Sequence, residues 1–207
     1  MPVVFYKPLS HQTAICVWAM DGSEEETLKG LRLSKSDEAL IARQKLPKRR
    51  TEKAACRLAL AFLLGQRDLT VWYDCEGAPH IDNYYVSFSH TAGYAAVAIS
   101  AAHPVGIDIE QVGGRLPRLA HKFLNAKELS AVIKTDNRLL HFYWGAKEAA
   151  LKLNGQKDID FINNITVNND GKGGGTATLL SEEKIRITSL SSWLIRNCVV
   201  ILAESEK

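Results

Sequence analysis

The sequence predicts an α+β fold made of two similar halves, roughly residues 1–103 and 104–207. In each half a helical stretch precedes the strands, and the half ends in an antiparallel pair of strands. The segments "GYAAVAIS" and "RNCVVILAE" occupy equivalent places in the two halves. A length of 207 residues suits one large domain or two small ones that share a core, and no low-complexity segment separates the halves.

Hydrophobic periodicity predicts the elements in chain order. "VVFY" and "AICVWAM" indicate strands, and residues 34–65 indicate a helix interrupted at Pro47, which cannot sit inside a helix without breaking it. Strand patterns return in "TVWYDCEGAPHI", in the hairpin "YYVSFSHTAGYAAVAIS" and in "HPVGIDIEQV". Asn125 followed by Glu128 is a helix-start signature, and a second helix covers about 138–154. The rest alternates strands and turns: "DFINNITVN", the hairpin turn "DGKGGGT", "TATLL", "KIRIT" and "SWLIRNCVVILAE".

Composition and charge argue against several classes of protein. No apolar run approaches the roughly 18–20 residues of a membrane span, and the N-terminus lacks a signal-peptide pattern. The four cysteines are scattered without a C-x-x-C pair, so we expect a reduced, cytoplasmic protein. The net charge is only +3. A basic cluster could bind nucleic acid, but it lacks interleaved aromatic residues, and a solvated helix edge is the preferred interpretation. Its members are Lys48, Arg49, Arg50, Lys53 and Arg57.

Two acids interrupt the apolar strand "VGIDIEQV". Asp108 and Glu110 alternate with Ile107 and Ile109, so the carboxylates share one side of the strand and the isoleucines are expected to point into the core. Two carboxylates on one side raise each other's pKa unless a cation lies between them. An ordinary solvent-facing strand side is the alternative.

A third acid lies on the second helix, in "FYWGAKEAALK". Trp144, Glu148 and Lys152 repeat every four residues and line one helix face, which would also suit an exposed Glu148–Lys152 pair. Three oxygen ligands are enough to hold Mg²⁺, which keeps water or phosphate oxygens in its other positions. The neighbouring ammonium groups of Lys147 and Lys152 would bind phosphate oxygens if such oxygens share the site. Together these residues favour phosphoryl transfer.

"VGIDIEQV" followed by "FYWGAKEAALK" resembles the paired signature of the 4′-phosphopantetheinyl transferases, G-x-D-x-E and then W-x-x-K-E-A. "FSHTAGYAAVAIS", "PKRRTEKAACRLALAFLLG" and "FLNAKEL" resemble that family's Ser-His, basic-helix and Phe-plus-Glu segments, so the likeness covers roughly residues 45–155. The length resembles the surfactin-synthetase-activating type. The resemblance implies two α/β halves related by pseudo-two-fold symmetry, a monomer, and transfer of 4′-phosphopantetheine from coenzyme A to an apo acyl or peptidyl carrier protein, with Mg²⁺.

The resemblance also implies residue roles. Asp108, Glu110 and Glu148 match the family's Mg²⁺-binding acids, Glu148 its candidate general base, and Lys152 the lysine on the coenzyme A diphosphate. Ser89 and His90 match residues that hold coenzyme A.

Arg50 matches an arginine on the 3′-phosphate of coenzyme A, and segment 111–124 matches the carrier contact region. In that segment we expect basic and apolar residues to dock an acidic carrier. They are Arg115, Arg118, Lys122, Phe123 and Leu124. The family often has Gly-Lys-Pro before the Ser-His segment, but here the tripeptide is Gly77-Ala78-Pro79, so that cationic contact is missing or supplied elsewhere. A non-catalytic coenzyme A-binding protein and an RNA-binding module are the alternatives.

Overall fold

The chain divides into two compact units, Met1–His103 (unit 1) and Pro104–Lys207 (unit 2). The structure is a computed structural model, and it describes the following residues: 2–10, 12–22, 24–29, 32–114, 116–132, 137–155, 159–181 and 184–205. The fold is a mixture of α-helices and antiparallel β-sheets. None of the described helices is long and apolar enough to cross a membrane.

Unit 1 is a six-stranded sheet with helices. Its elements are β1 (Val3–Pro8), β2 (Thr13–Ala19), α1 (Glu24–Lys29), β3 (Arg32–Leu33), α2 (Lys35–Ala42), α3 (Pro47–Leu64), β4 (Asp68–Leu69), β5 (Trp72–Tyr73), β6 (Pro79–Ile81), β7 (Tyr84–Thr91) and β8 (Tyr94–Ser100). The antiparallel sheet has the order β1-β2-β8-β7-β6-β5, and β3 and β4 form a separate parallel pair. Helix α3 packs on β2 and β8 and buries an apolar core.

The predicted interruption at Pro47 is confirmed, because α3 begins at that residue. Proline suits the first turn of a helix, where its missing N–H would have no partner within the helix. The expectation that Arg57 lies on a solvated helix edge is wrong. Arg57 is fully buried, and its guanidinium forms an ion pair of 2.6 Å with the buried Asp37 of α2.

Unit 2 is a five-stranded antiparallel sheet of order β10-β11-β12-β13-β9. Its elements are β9 (Val105–Gln111), α4 (Leu116–Leu119), a 3₁₀ turn (Ala120–Lys122), α5 (Ala126–Val132), α6 (Asn137–Asn154), β10 (Ile165–Asn169), β11 (Gly174–Leu180), β12 (Ile185–Ile195) and β13 (Cys198–Ser205). "KIRIT" and "SWLI", expected as separate strands, belong to the single strand β12. The hairpin turn predicted at "DGKGGGT" is confirmed between β10 and β11.

Helix α6 lies very close to β9 and β13 in unit 2. A Cβ atom at Gly106 of β9 would overlap the carbonyl oxygen of Ala149, and one at Gly145 of α6 would lie 2.9 Å from Cγ1 of Ile201. Two glycines on facing elements therefore allow the helix backbone to approach the strand. This approach brings the polar side of α6 next to the acids of β9.

From β2 in unit 1 and from β9 in unit 2, the two units follow a similar order of elements. In unit 1, β2 is followed by helices and by a meander whose last strand, β8, pairs with β2. In unit 2, β9 is followed by helices and by a meander whose last strand, β13, pairs with β9. In each unit the last strand of the meander thus pairs with the strand that precedes the helices.

Candidate active site

Strand β9 places Asp108 and Glu110 on the face that α6 covers. Across the ladder, Asp108 pairs with Ile201 and Glu110 with Val199, and both of these partners belong to the apolar core of unit 2. Ile107 is also buried, on the opposite face of β9. The expectation that the acids face away from the core is therefore wrong: Asp108 is only 4% exposed and lies beneath the helix.

Helix α6 contacts both acids through two side chains of the face that Trp144, Glu148 and Lys152 line. Trp144 Nε1 donates a hydrogen bond of 3.0 Å to Glu110 Oε1. Lys152 Nζ donates to Asp108 Oδ1 at 2.7 Å and to the carbonyl oxygen of Ile107 at 3.1 Å. The two ends of the predicted helix face therefore contact the two acids of the strand.

Glu148 shares an electrostatic environment with these residues. Burial, and then the charge of Asp108, raise the pKa of Glu148 above its ordinary value, while Lys152 lowers it. The pKa of Glu110 is also raised, for the same two reasons, and the Trp144 hydrogen bond and the charge of Lys152 offset only part of this rise. Three carboxylates and one ammonium group thus form a single cluster, which we call the acidic cluster: Asp108, Glu110, Glu148 and Lys152.

The chemistry of the acidic cluster fits a divalent cation. Its donors are carboxylate oxygens, the ligands that Mg²⁺ prefers, and they are partly desolvated and disfavour one another's ionised form. A cation among them would relieve that repulsion. In the part of the chain that the structure describes, however, no three His, Cys, Asp or Glu side chains are already grouped as a metal site. The acids would have to move together around an ion.

Lys147 lies away from the acidic cluster. Its side chain is fully buried, and Nζ is 2.7 Å from Glu128 Oε2. The same nitrogen donates to the carbonyl oxygens of Phe123, Phe161 and Ile165 at 2.8, 2.6 and 2.8 Å. We therefore leave Lys147 out of the coenzyme A site that the sequence suggested.

Neighbouring residues on an α-helix point about 100° apart, so Lys147 and Glu148 cannot share a face. That signal was present in the sequence. One role of Glu128 could be predicted from the sequence, and the predicted helix start is confirmed. Asn125 Oδ1 accepts a hydrogen bond from the Glu128 N–H, and Glu128 Oε2 accepts one from the Asn125 N–H, both at 2.9 Å. The pairing of Glu128 with Lys147 could not be predicted from the sequence, because it depends on the packing of α5 against α6.

In unit 1, Ser89 and His90 lie next to each other on β7 and face opposite sides of the sheet. His90 pairs across the ladder with the core residue Ala95, on the side of α3, where its Nδ1 is 3.6 Å from Glu52 Oε2. Ser89 is 8% exposed and pairs with Ala96. Sequence reasoning missed Glu52, which is 3% exposed on α3.

Glu52 organises the basic start of α3. Arg49 Nη1 lies 2.9 Å and Lys48 Nζ 3.9 Å from its carboxylate. Arg50 turns elsewhere, and its Nη1 donates to the carbonyl oxygen of Gln44 at 2.9 Å. The basic residues at the start of this helix therefore have different partners: Lys48 and Arg49 share Glu52, and Arg50 contacts the backbone.

The predicted carrier-contact segment is only partly exposed. Arg118 lies on α4 and Lys122 in the following 3₁₀ turn, while Arg115 lies outside the described residues. Phe123 and Leu124, expected to form an exposed apolar patch, are 2% and 3% exposed and pack in the core, so that expectation is wrong. The exposed apolar side chain of this segment is Leu119, at 41%.

Comparison with known proteins agrees with the chemistry of unit 2. Residues 104–202 match the model of the 4′-phosphopantetheinyl transferase superfamily. None of the curated proteins compared with the chain matches it. The matched range contains every member of the acidic cluster and spans slightly less than half of the chain. The match suggests that the general activity of this region is transfer of a phosphopantetheine group.

Proposed function

We propose that the chain is a 4′-phosphopantetheinyl transferase of the two-half, surfactin-synthetase-activating type. It transfers the 4′-phosphopantetheine group of coenzyme A to a serine of an apo acyl or peptidyl carrier protein and releases adenosine 3′,5′-bisphosphate. One observation carries the proposal. The acidic cluster assembles from two sequence segments 40 residues apart, inside the range that matches the superfamily. The shared element order of the two units supports the two-half type and its pseudo-two-fold relation.

Asp108, Glu110 and Glu148 are the residues that would hold Mg²⁺. When bound, the ion offsets the charge that develops on the diphosphate during phosphoryl transfer. Trp144 holds the Glu110 carboxylate through its indole N–H. The close packing of α6 on β9, which Gly106 permits, sets the distance between the strand acids and the helix acid.

Glu148 is the proposed general base that accepts the proton of the carrier serine. Burial raises its pKa, which makes this carboxylate a stronger base than an exposed one. Lys152 lies beside it on the same helix face and would bind diphosphate oxygens. The serine oxygen attacks the β-phosphorus, its bond to the pantetheine-bearing phosphorus forms, and the bond to the leaving α-phosphate oxygen breaks.

Arg50 and His90 are the proposed ligands for the 3′-phosphate end of coenzyme A, and Ser89 is a further proposed coenzyme A ligand. His90 Nδ1 lies 3.6 Å from the Glu52 carboxylate, and Arg49 Nη1 lies 2.9 Å from the same carboxylate, so Arg49 offsets the negative charge beside His90. An anionic phosphate near His90 and Arg50 would add charge-assisted hydrogen bonds.

The carrier protein is proposed to dock on the segment that contains α4 and the 3₁₀ turn. Arg118 and Lys122 provide positive charge and Leu119 provides an exposed apolar side chain. Carrier proteins are typically acidic, so complementary charge would speed their association. A monomeric, cytoplasmic enzyme is part of the proposal.

Mass spectrometry of the carrier protein tests the proposal. The purified chain is incubated with coenzyme A, Mg²⁺ and a panel of apo carriers from fatty-acid, polyketide and peptide-synthetase systems. We expect a phosphopantetheine adduct on at least one carrier, and none when chelator replaces Mg²⁺. Failure to modify any carrier contradicts the proposal, and calorimetric binding of coenzyme A in that case favours the non-catalytic alternative.

A matched pair of variants tests the site. Asp108→Asn removes one carboxylate charge of the acidic cluster, and transfer should fall by two or more orders of magnitude while the fold persists. Asp170→Asn makes the same chemical change in the β10–β11 turn, where Asp170 is exposed and its Oδ1 accepts from the N–H of Lys172 and Gly174. Asparagine keeps that acceptor, so this variant should retain activity. Equal activity of both variants would contradict the site assignment.

A further inference from the structure

The ammonium group of Lys152 lies where the charges of the three acids meet. Nζ is 2.7 Å from Asp108 Oδ1 and 3.1 Å from the carbonyl oxygen of Ile107. Its charge also acts on Glu110 and on Glu148. Lys152 thus contacts Asp108 directly and lowers the pKa of Glu110 and of Glu148 through its charge.

This arrangement balances the charge of the acidic cluster only in part. One ammonium faces three carboxylates, and burial together with Asp108 still disfavours ionisation of Glu110 and Glu148. A divalent ion bound through oxygen ligands would balance more of that charge. An ion that coordinates Asp108 through Oδ1, or through both carboxylate oxygens, must displace Nζ from Oδ1, whereas an ion on the buried Oδ2 alone would not.

We propose that Lys152 is a stand-in cation, which holds Asp108 while the protein is free of metal and competes with the divalent ion for that carboxylate. The inference rests on the proposed function, because it takes the acids as metal ligands. The Lys152 side chain is 30% exposed, so its ammonium group has a route toward solvent when it leaves the buried Asp108. Metal binding then makes Lys152 available to an anionic group such as a diphosphate, and the two ligands bind cooperatively.

Binding of Mn²⁺ without coenzyme A tests this competition. The free ion is counted by electron paramagnetic resonance, so the readout does not depend on transfer activity. Lys152→Met removes a charge-assisted hydrogen bond that the ion must otherwise displace, and Mn²⁺ should bind about tenfold more tightly. Lys152→Arg keeps the charge and should stay close to the wild-type affinity. Lys172→Met removes an exposed lysine of the β10–β11 turn and serves as the control.

A double-mutant comparison separates competition for Asp108 from simple repulsion between cations. If Lys152 competes through Asp108, Lys152→Met tightens Mn²⁺ binding in the wild-type chain but not in the Asp108→Asn chain. Tightening of equal size in both backgrounds, or none in either, would overturn the inference. Circular dichroism and urea unfolding of each variant establish that it is folded.

The same measurements distinguish failure of this inference from failure of the proposed function. Equal Mn²⁺ affinity of wild type and Lys152→Met, with carrier modification intact, rejects the stand-in role alone. Absence of Mn²⁺ binding to the wild type even with coenzyme A present rejects the metal assignment beneath both. In the expected outcome, Lys152→Met binds Mn²⁺ more tightly and transfers phosphopantetheine more slowly.

Discussion

Replacing Lys147 by methionine should destabilise unit 2 more than removal of any exposed lysine. The ammonium group is fully buried and lies 2.7 Å from the Glu128 carboxylate, which is buried as well. Its other hydrogen bonds, to the carbonyl oxygens of Phe123, Phe161 and Ile165, connect α6 to two connecting segments and to the start of β10. Methionine has a similar length and apolar stem but can make none of these contacts.

The expected cost follows from the charge that is left behind. Removing one partner of a buried ion pair typically costs about 3–5 kcal/mol, because the other charge remains buried without compensation. Glu128 keeps two backbone donors, the N–H groups of Asn125 and Val167, at 2.9 and 2.8 Å. We therefore expect a loss of about 4 kcal/mol, a large share of the roughly 5–15 kcal/mol that stabilises a typical domain. Adding Glu128→Gln to Lys147→Met removes the unpaired charge and should recover about 2 kcal/mol.

Urea unfolding followed by near-ultraviolet circular dichroism measures these free energies. Lys127→Met makes the same chemical change at an exposed position of α5 and should alter the free energy of unfolding by less than about 0.5 kcal/mol. A cost below about 1 kcal/mol for Lys147→Met would refute the reasoning. The reasoning would also be refuted if the double variant lost more free energy of unfolding than the two single variants lose together.

Three further predictions concern the contact of α6 with β9. Gly106→Ala should cost more than about 3 kcal/mol in thermal unfolding, because the new Cβ would overlap the Ala149 carbonyl oxygen. Trp144→Phe keeps an aromatic ring at this position but removes the indole donor to Glu110, so the pKa of Glu110 should rise further in a carboxyl NMR titration. Because the folded-state pKa of Glu148 is raised, the folded chain binds more protons than the unfolded chain between the ordinary carboxyl pKa and the raised one. The free energy of unfolding should therefore fall as pH rises through that window in chelator, and Glu148→Gln should flatten the slope.

Each of these three predictions has a control. Gly155→Ala places a methyl group where no atom of the described residues, its chain neighbours apart, lies within 4 Å, so we expect a cost of about 1 kcal/mol from the strain of its positive φ of 64°. Trp193→Phe changes a tryptophan of β12 that is in register with Val200 and Ile109, on the sheet face opposite to the acids, and should leave the Glu110 titration unchanged. A pH slope that Glu148→Gln leaves intact would mean that other groups control the acid dependence of stability.

The sequence predicted the helices and strands well where periodicity, capping and turn chemistry act locally. Pro47 begins a helix, Asn125 and Glu128 cap another, and both predicted hairpins form. The face shared by Trp144 and Lys152 also follows from helical periodicity alone, and the structure joins both residues to the acids of β9. Local rules therefore identified the components of the candidate site.

Burial could not be predicted in the same way. Lys147, Arg57 and Phe123 belong to sequence stretches that suggest charged or docking surfaces, yet each is buried. A lysine or arginine is rarely buried unless a partner compensates its charge, and that partner here lies on another helix, 19 or 20 residues away. Such pairings depend on how helices pack, which periodicity does not specify.

These two buried ion pairs have the same place in their units. Arg57 lies on α3 and pairs with Asp37 of the preceding helix, and Lys147 lies on α6 and pairs with Glu128 of the preceding helix. In both cases the long helix that carries the cation packs on the strand that pairs with the last strand of the unit, β2 or β9.

The surroundings of the two acids repeat as well. Each acid follows a capping residue by three positions: Ser34 Oγ accepts from the N–H of the first acid, and Asn125 Oδ1 from that of the second. Each acid also accepts a backbone N–H from the start of the following meander, from Val71 at 3.4 Å and from Val167 at 2.8 Å. The superfamily match covers only residues 104–202 and says nothing of unit 1. Both units therefore contain the same set of contacts in the same chain order: a capping residue, a buried acid, a helix cation and a backbone N–H of the meander. This repetition supports the two-half proposal independently of the superfamily match.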